Sequence, residues 1–110
     1  MNLKNKAKKY FYLFSSKNLD GLKNILGQKV LLVDWTIKLS GINNVIYFYY
    51  KTFKKFKKIN VIIKEIFSDP KKRSIACNLI IKLDKCKIKV MDIIYFNKKK
   101  KIIRIEAYKL

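Results

Sequence analysis

An α+β fold is predicted by a change of period along the chain. Up to about residue 58 the apolar residues recur mainly at helical spacing, and from residue 59 onward they alternate. A second observation is sparse punctuation. Pro70 is the only proline, and Gly21, Gly27 and Gly41 lie far apart, so nothing reads as a linker or a repeat. A third is size: 110 residues, half of them hydrophobic, suit a single domain over 1–110 with a modest core. The expected architecture is three N-terminal helices packed on a curved, mostly antiparallel β-sheet, with a pocket left between the layers.

The first helix is predicted over 3–15, where Leu3, Ala7, Tyr10 and Phe14 fall on one face. A second, short helix is predicted over 19–26. Asn18 suits its N-cap, Asp20 its first turn and Gly27 a position just past its end. Residues 30–39 are rich in strand formers and carry Asp34 in their middle. Ser40 then suits the N-cap of a third helix with the stripe Ile42, Val45, Ile46, Tyr49, Phe53, Phe56. Lysines 51, 54, 55, 57 and 58 load its C-terminal end, as the helix dipole favours. Tyr49, Tyr50 and Phe53 read as core packing.

Strands are predicted over 59–67, 74–83, 86–96 and 101–109. Ser68 to Lys72 form a turn around Pro70, Asp84-Lys85 a two-residue hairpin, and Asn97 to Lys100 a solvated turn. With that middle hairpin, Leu83 faces Cys86, Ile81 faces Ile88, Leu79 faces Val90 and Cys77 faces Asp92. The apolar rows then coincide, as register requires, and the two cysteines are too far apart for a disulfide. A bulged last hairpin aligns Phe96, Ile94 and Asp92 with Ile103, Ile105 and Ala107, and keeps Asp92 away from Glu106.

Asp92 is the singular residue. Alternation puts it in the row Cys86, Ile88, Val90, Asp92, Ile94, Phe96, otherwise without charge. A carboxylate there is costly unless it is paired, hydrogen-bonded or neutral, and such carboxyls mark sites. A structural carboxylate bonded by neighbouring groups is the plainer reading. The opposite row, with Met91, Ile93 and Tyr95, faces outward.

Composition excludes several functions. There is no histidine, and two cysteines and three scattered glycines offer neither a zinc cluster nor a phosphate loop. No metal or cofactor is expected. The formal charge is +20, yet all basic residues but Arg73 and Arg104 are lysines, spread over every predicted element. Base readers rely on arginine, and the abundant Lys, Ile, Asn, Phe and Tyr share A/T-rich codons. Only non-specific, salt-sensitive contact with nucleic acid is expected. No apolar run spans a bilayer, and Tyr10–Phe14 is too short for a signal-peptide core, so no membrane association and a cytoplasmic location are expected.

The order and spacing of several stretches carry a resemblance. They are Lys9-Tyr10-Phe11, Asn18 to Leu22, Val33-Asp34-Trp35, Ser40-Gly41, Asp92 to Asn97, and Lys101-Ile102 through Ala107-Tyr108. Together they resemble the nuclear transport factor 2-like superfamily, especially its SnoaL-like and ketosteroid-isomerase-like branch. The resemblance covers nearly the whole chain and implies a cone-shaped domain around a pocket. In isomerases of this kind, a first-helix tyrosine and a neutral aspartic acid hold the developing enolate while a second aspartate moves the proton. By position these match Tyr10, Asp92 and Asp34. In related cyclases a late-strand aspartate is itself the base, so either role is open to Asp92. Two features depart from the pattern: the sequence given stops directly after the last strand, and no second tyrosine can be placed behind Tyr10. Trp35, opposite Asp34 by alternation, reads as core packing.

The implied function is binding of a small apolar organic ligand, with proton transfer next to a carbonyl by Asp34, Asp92 and Tyr10. The alternative is a non-catalytic binding or dimerisation module, a homodimer joined through the outer sheet face.

Overall fold

The computed structural model describes residues 2–110. Helix α1 spans Leu3–Ser15, α2 Leu19–Ile25 and α3 Ile42–Lys55. Strands are β1 Leu26–Val33, β2 Lys38–Ser40, β3 Ile59–Asp69, β4 Ser74–Leu83, β5 Cys86–Phe96 and β6 Ile102–Lys109. They form one sheet in the order β2-β1-β6-β5-β4-β3. Among the described residues only β1 and β6 pair in parallel. The helices pack on one face of this sheet, giving the expected α+β architecture. No helix among the described residues is long and apolar enough to cross a membrane.

Both N-terminal helices begin on asparagine caps. The Asn2 side chain accepts from the Asn5 N–H, and that of Asn18 from the Gly21 N–H, each at 2.8 Å. Between the helices Lys17 takes a left-handed conformation (φ 58°). Gly21 allows close packing, since a Cβ there would sit 2.6 Å from the Leu13 side chain. Ala7, Tyr10, Phe11 and Leu13 are the buried residues of α1.

Four local expectations are corrected. Helix α2 ends at Ile25, and Leu26 turns straight into β1 with extended dihedrals, so Gly27 is a strand residue and not a helix stop. The strand expected over 30–39 breaks at Asp34. There the Asp34 Oδ1 accepts from the Thr36 N–H, the Thr36 hydroxyl and the Ile37 N–H at 2.7–2.9 Å. This turn sends β2 back antiparallel, with Leu31 opposite Ser40. Ser40 is therefore the last residue of β2, and the cap position of α3 belongs to Gly41 (φ 91°), which makes no side-chain cap bond. In the last hairpin the bulge lies between Tyr95 and Phe96, so Phe96 faces Ile102 and not Ile103.

The register of the β4–β5 hairpin is the expected one over its whole length. Asp84 opens its turn at φ 54° and ties it to the α3–β3 connection, accepting from the Lys58 N–H at 2.8 Å. In the last hairpin Asp92 faces Ala107 and Ile94 faces Ile105, also as expected. The core sits between the inner sheet face and the helices, with Leu22, Val30, Val45, Leu79, Val90, Ile94 and Ile105 essentially inaccessible. Each such aliphatic side chain contributes about 1.5–3 kcal/mol relative to exposure. Cys77 is buried and Cys86 exposed, and both are free thiols.

Candidate functional site

The inner row of β5 changes character along its length. Ile94 and Phe96 are buried in solid core, whereas Ile88, Val90 and Asp92 line a cavity of about 700 Å³. That volume lies within the range of small-molecule sites. Asp92 thus stands where the packed core ends and the open space begins. Ala107, its β6 partner, also lines the cavity, and its small side chain leaves room in front of the carboxyl. Its β4 partner is Cys77, whose thiol burial and the Asp92 charge push up to about 12.

The Asp92 side chain is only 6% exposed, and its Oδ1 is buried with no hydrogen-bond partner among the described residues. Burial pushes its pKa up to about 7, with the charge of Asp34 adding to the effect. The carboxyl therefore changes protonation state near neutral pH. An unmatched buried polar atom costs about 1–3 kcal/mol.

Facing Asp92 from the helices are two tyrosines. The Tyr10 hydroxyl of α1 and the Tyr49 hydroxyl of α3 are 2.5 Å apart, and both side chains line the cavity. Burial raises the pKa of each, and the charge of Asp92 raises both further. One proton bridges the two oxygens, so the other hydroxyl proton is available to a third group. Phe14 packs edge-on against Tyr49 at 5.7 Å between ring centroids.

Tyr49 is the functional candidate that sequence reasoning missed. It lies on the buried stripe of α3, as expected, and is 2% exposed. Its spacing gave no sign that its hydroxyl meets Tyr10 across 39 residues of sequence. A tyrosine in an otherwise hydrocarbon stripe was the available signal, because a buried phenol needs a partner. Tyr50, in contrast, is 43% exposed and stacks on Tyr47, so it is not core.

At the mouth, Asp34 and Trp35 line the cavity together. The turn at Asp34 breaks the alternation on which a buried Trp35 was expected, and Trp35 is 46% exposed. Oδ1 of Asp34 is committed to that turn, whereas its Oδ2 accepts no hydrogen bond among the described residues. Tyr10, Asp34 and Asp92 therefore border one space, although they come from a helix, a turn and a late strand.

No family model and no curated protein sequence matches the chain. Its shape does match solved structures. An NTF2-like (nuclear transport factor 2-like) protein of unknown function from Cytophaga hutchinsonii superposes with a TM-score of 0.84 at 11% identity, over 100% of this chain and 91% of its own. The chain has the nuclear transport factor 2-like fold. A SnoaL-like protein of unknown function from Burkholderia thailandensis shares this fold with a TM-score of 0.84 at 9% identity, covering 98% of this chain and 93% of that one. So does a protein with a ketosteroid isomerase-like fold from Catenulispora acidiphila, solved in complex with trimethylamine. Its TM-score is 0.80 at 9% identity, over 93% of this chain and 82% of its own. At such identities the likeness is one of shape, and the nuclear transport factor 2-like fold hosts many unrelated activities.

Proposed function

We propose that the chain binds a small apolar organic ligand in this cavity and moves a proton at the carbon next to a carbonyl. The observation that carries the reading is the buried Oδ1 of Asp92, unpartnered on the wall of an apolar cavity and faced by a tyrosine pair. In the bound state a ligand carbonyl would lie between Asp92 and Tyr10. Protonated Asp92 donates one hydrogen bond to the developing enolate oxygen, and the Tyr10 hydroxyl, backed by Tyr49, donates the other. Asp34 takes the carbon-bound proton on its free Oδ2 and returns it elsewhere on the ligand. Ionised Asp92 supports the reverse assignment, with Asp92 as the base and the tyrosines as the only donors.

The test is proton exchange. Apolar ketones are incubated with the protein in heavy water, and deuterium uptake at the carbon beside the carbonyl is followed by NMR. Wild-type protein is expected to accelerate exchange, and Asp92→Asn and Tyr10→Phe to slow it at least about tenfold while the fold is kept. Exchange that is unchanged in Asp92→Asn contradicts the reading.

A second reading rests on the outer face of the sheet. Phe67, Ala76 and Ile93 lie side by side across β3, β4 and β5, with Met91, Tyr95 and Tyr108 around them. Phe67 and Tyr108 are half exposed. We propose that a second copy of the chain covers this face. Sedimentation at micromolar concentration is expected to show a dimer that Ile93→Lys dissociates. A wild-type monomer contradicts it.

A further inference from the structure

Helix α3 turns one edge to the cavity, and that edge changes chemistry along its length. Tyr49 and Phe48 stand towards the closed end, and Lys51 and Lys55, one helical turn apart, are exposed at the mouth beside Thr52 and Phe56. Each ammonium group lies over a nearby aromatic ring, Lys51 over that of Tyr47 at 5.5 Å and Lys55 over that of Phe56, just past the helix end, at 5.4 Å. Neither has a carboxylate within salt-bridge distance among the described residues, where Arg104–Glu106 is the one ion pair. Among the described residues, Asp34 is the only acidic one lining the mouth, and the turn commits one of its two oxygens. The cavity thus has an apolar body, an unmatched hydrogen-bonding carboxyl at its closed end, and two lysines against one carboxylate at its opening, a net positive charge.

We propose that the ligand is an amphipathic organic anion. Its apolar body fills the cavity, an oxygen function reaches Asp92, and an acidic group such as a carboxylate or sulfonate lies outward between Lys51 and Lys55. This rests on the pocket reading above and adds the charge and orientation of what enters. Lysine stems cover the apolar wall while their ammonium groups stay in water, so the anion remains partly hydrated and its desolvation cost is small. The formal charge of +20 adds long-range attraction for such a ligand and repels a cationic one.

Two dyes of the same aromatic skeleton test this: anilinonaphthalene sulfonate, an anion, and phenylnaphthylamine, its neutral counterpart. Binding is read by fluorescence titration in the wild type, in Lys51→Gln/Lys55→Gln, and in a control, Lys98→Gln/Lys99→Gln, with the same charge change in the turn before β6. The mouth variant is expected to weaken the sulfonate dye about tenfold and the neutral dye less than about twofold. The control is expected to leave both within about twofold. A sulfonate dye weakened equally by both variants, or by neither, overturns the proposal while a neutral dye that still binds leaves the pocket reading standing. If neither dye enters the wild-type cavity, both readings fall together. Circular dichroism confirms that each variant is folded.

Discussion

The hydroxyl oxygens of Tyr10 and Tyr49 are 2.5 Å apart in the buried wall of the cavity. The contact joins α1 to α3 and leaves one proton of the pair for a group outside it. It also fixes where the Tyr10 oxygen sits, which an isolated phenol on a helix would not.

A double-mutant cycle measures this contact. Tyr49→Phe is expected to lose about 1–3 kcal/mol of stability, because the Tyr10 hydroxyl is left buried and unpaired. Tyr10→Phe is expected to lose a similar amount, and the double variant less than the sum, with about 1 kcal/mol of coupling. Chemical denaturation reads all three values. Additive losses would show that the two hydroxyls do not act as a pair.

Asp92 gives a pH prediction with a definite sign. Its pKa is raised from the unfolded value of 3.8 to about 7 in the fold. Between these values the folded chain holds a proton that the unfolded chain has released. Stability from this group is therefore complete below about pH 4, falls as pH rises towards 7, and levels off above. Asp92→Asn removes that slope. The variant is expected to exceed the wild type by up to about 4 kcal/mol above neutrality and to match it near pH 4. Melting curves across pH check this, and a variant that is less stable at every pH would mark Asp92 as a structural carboxylate.

Asp34 separates turn from chemistry. Asp34→Asn keeps an acceptor at Oδ1 for the Thr36 and Ile37 amides, so stability is expected to change by under about 1 kcal/mol. Asp34→Ala removes all three bonds and is expected to cost about 1–3 kcal/mol. Both are expected to slow proton exchange at least about tenfold. Full exchange activity in Asp34→Asn would remove Asp34 from the mechanism.

Gly41 tests how α3 is set. Its φ of 91° and ψ of 145° suit glycine alone, and a Cβ there meets nothing within 4 Å. Gly41→Ala is expected to lose about 1–3 kcal/mol purely through backbone strain, measured by thermal melting. A neutral substitution would show that β2 and α3 relax around this joint.

The elements that sequence periodicity describes well are those whose partners are near in the chain. The β4–β5 register follows from a two-residue turn and matching apolar rows, and these alone put Asp92 opposite Cys77. The α3 stripe likewise identifies Tyr49 and Phe53 as buried. What periodicity does not reveal is side-chain hydrogen bonding. Asp34 and Thr36 lie among strand formers, and only their short-range bonds turn the chain there. The parallel pairing of β1 with β6 and the meeting of Tyr10 with Tyr49 join distant segments, and local pattern carries no signal for either. Tyr10, Asp34 and Asp92 come together only through the fold resemblance, which placed them by order along the chain.

We propose that Asp92, a cavity carboxyl poised near neutrality, is the group that meets the ligand. The most direct test is an NMR titration of its side-chain carbonyl carbon, with and without the neutral dye bound. A midpoint near pH 7 is expected in the free protein, with a clear displacement when the cavity is filled. A midpoint in the ordinary carboxylate range, about 4, or one that ignores an occupied cavity, would contradict it.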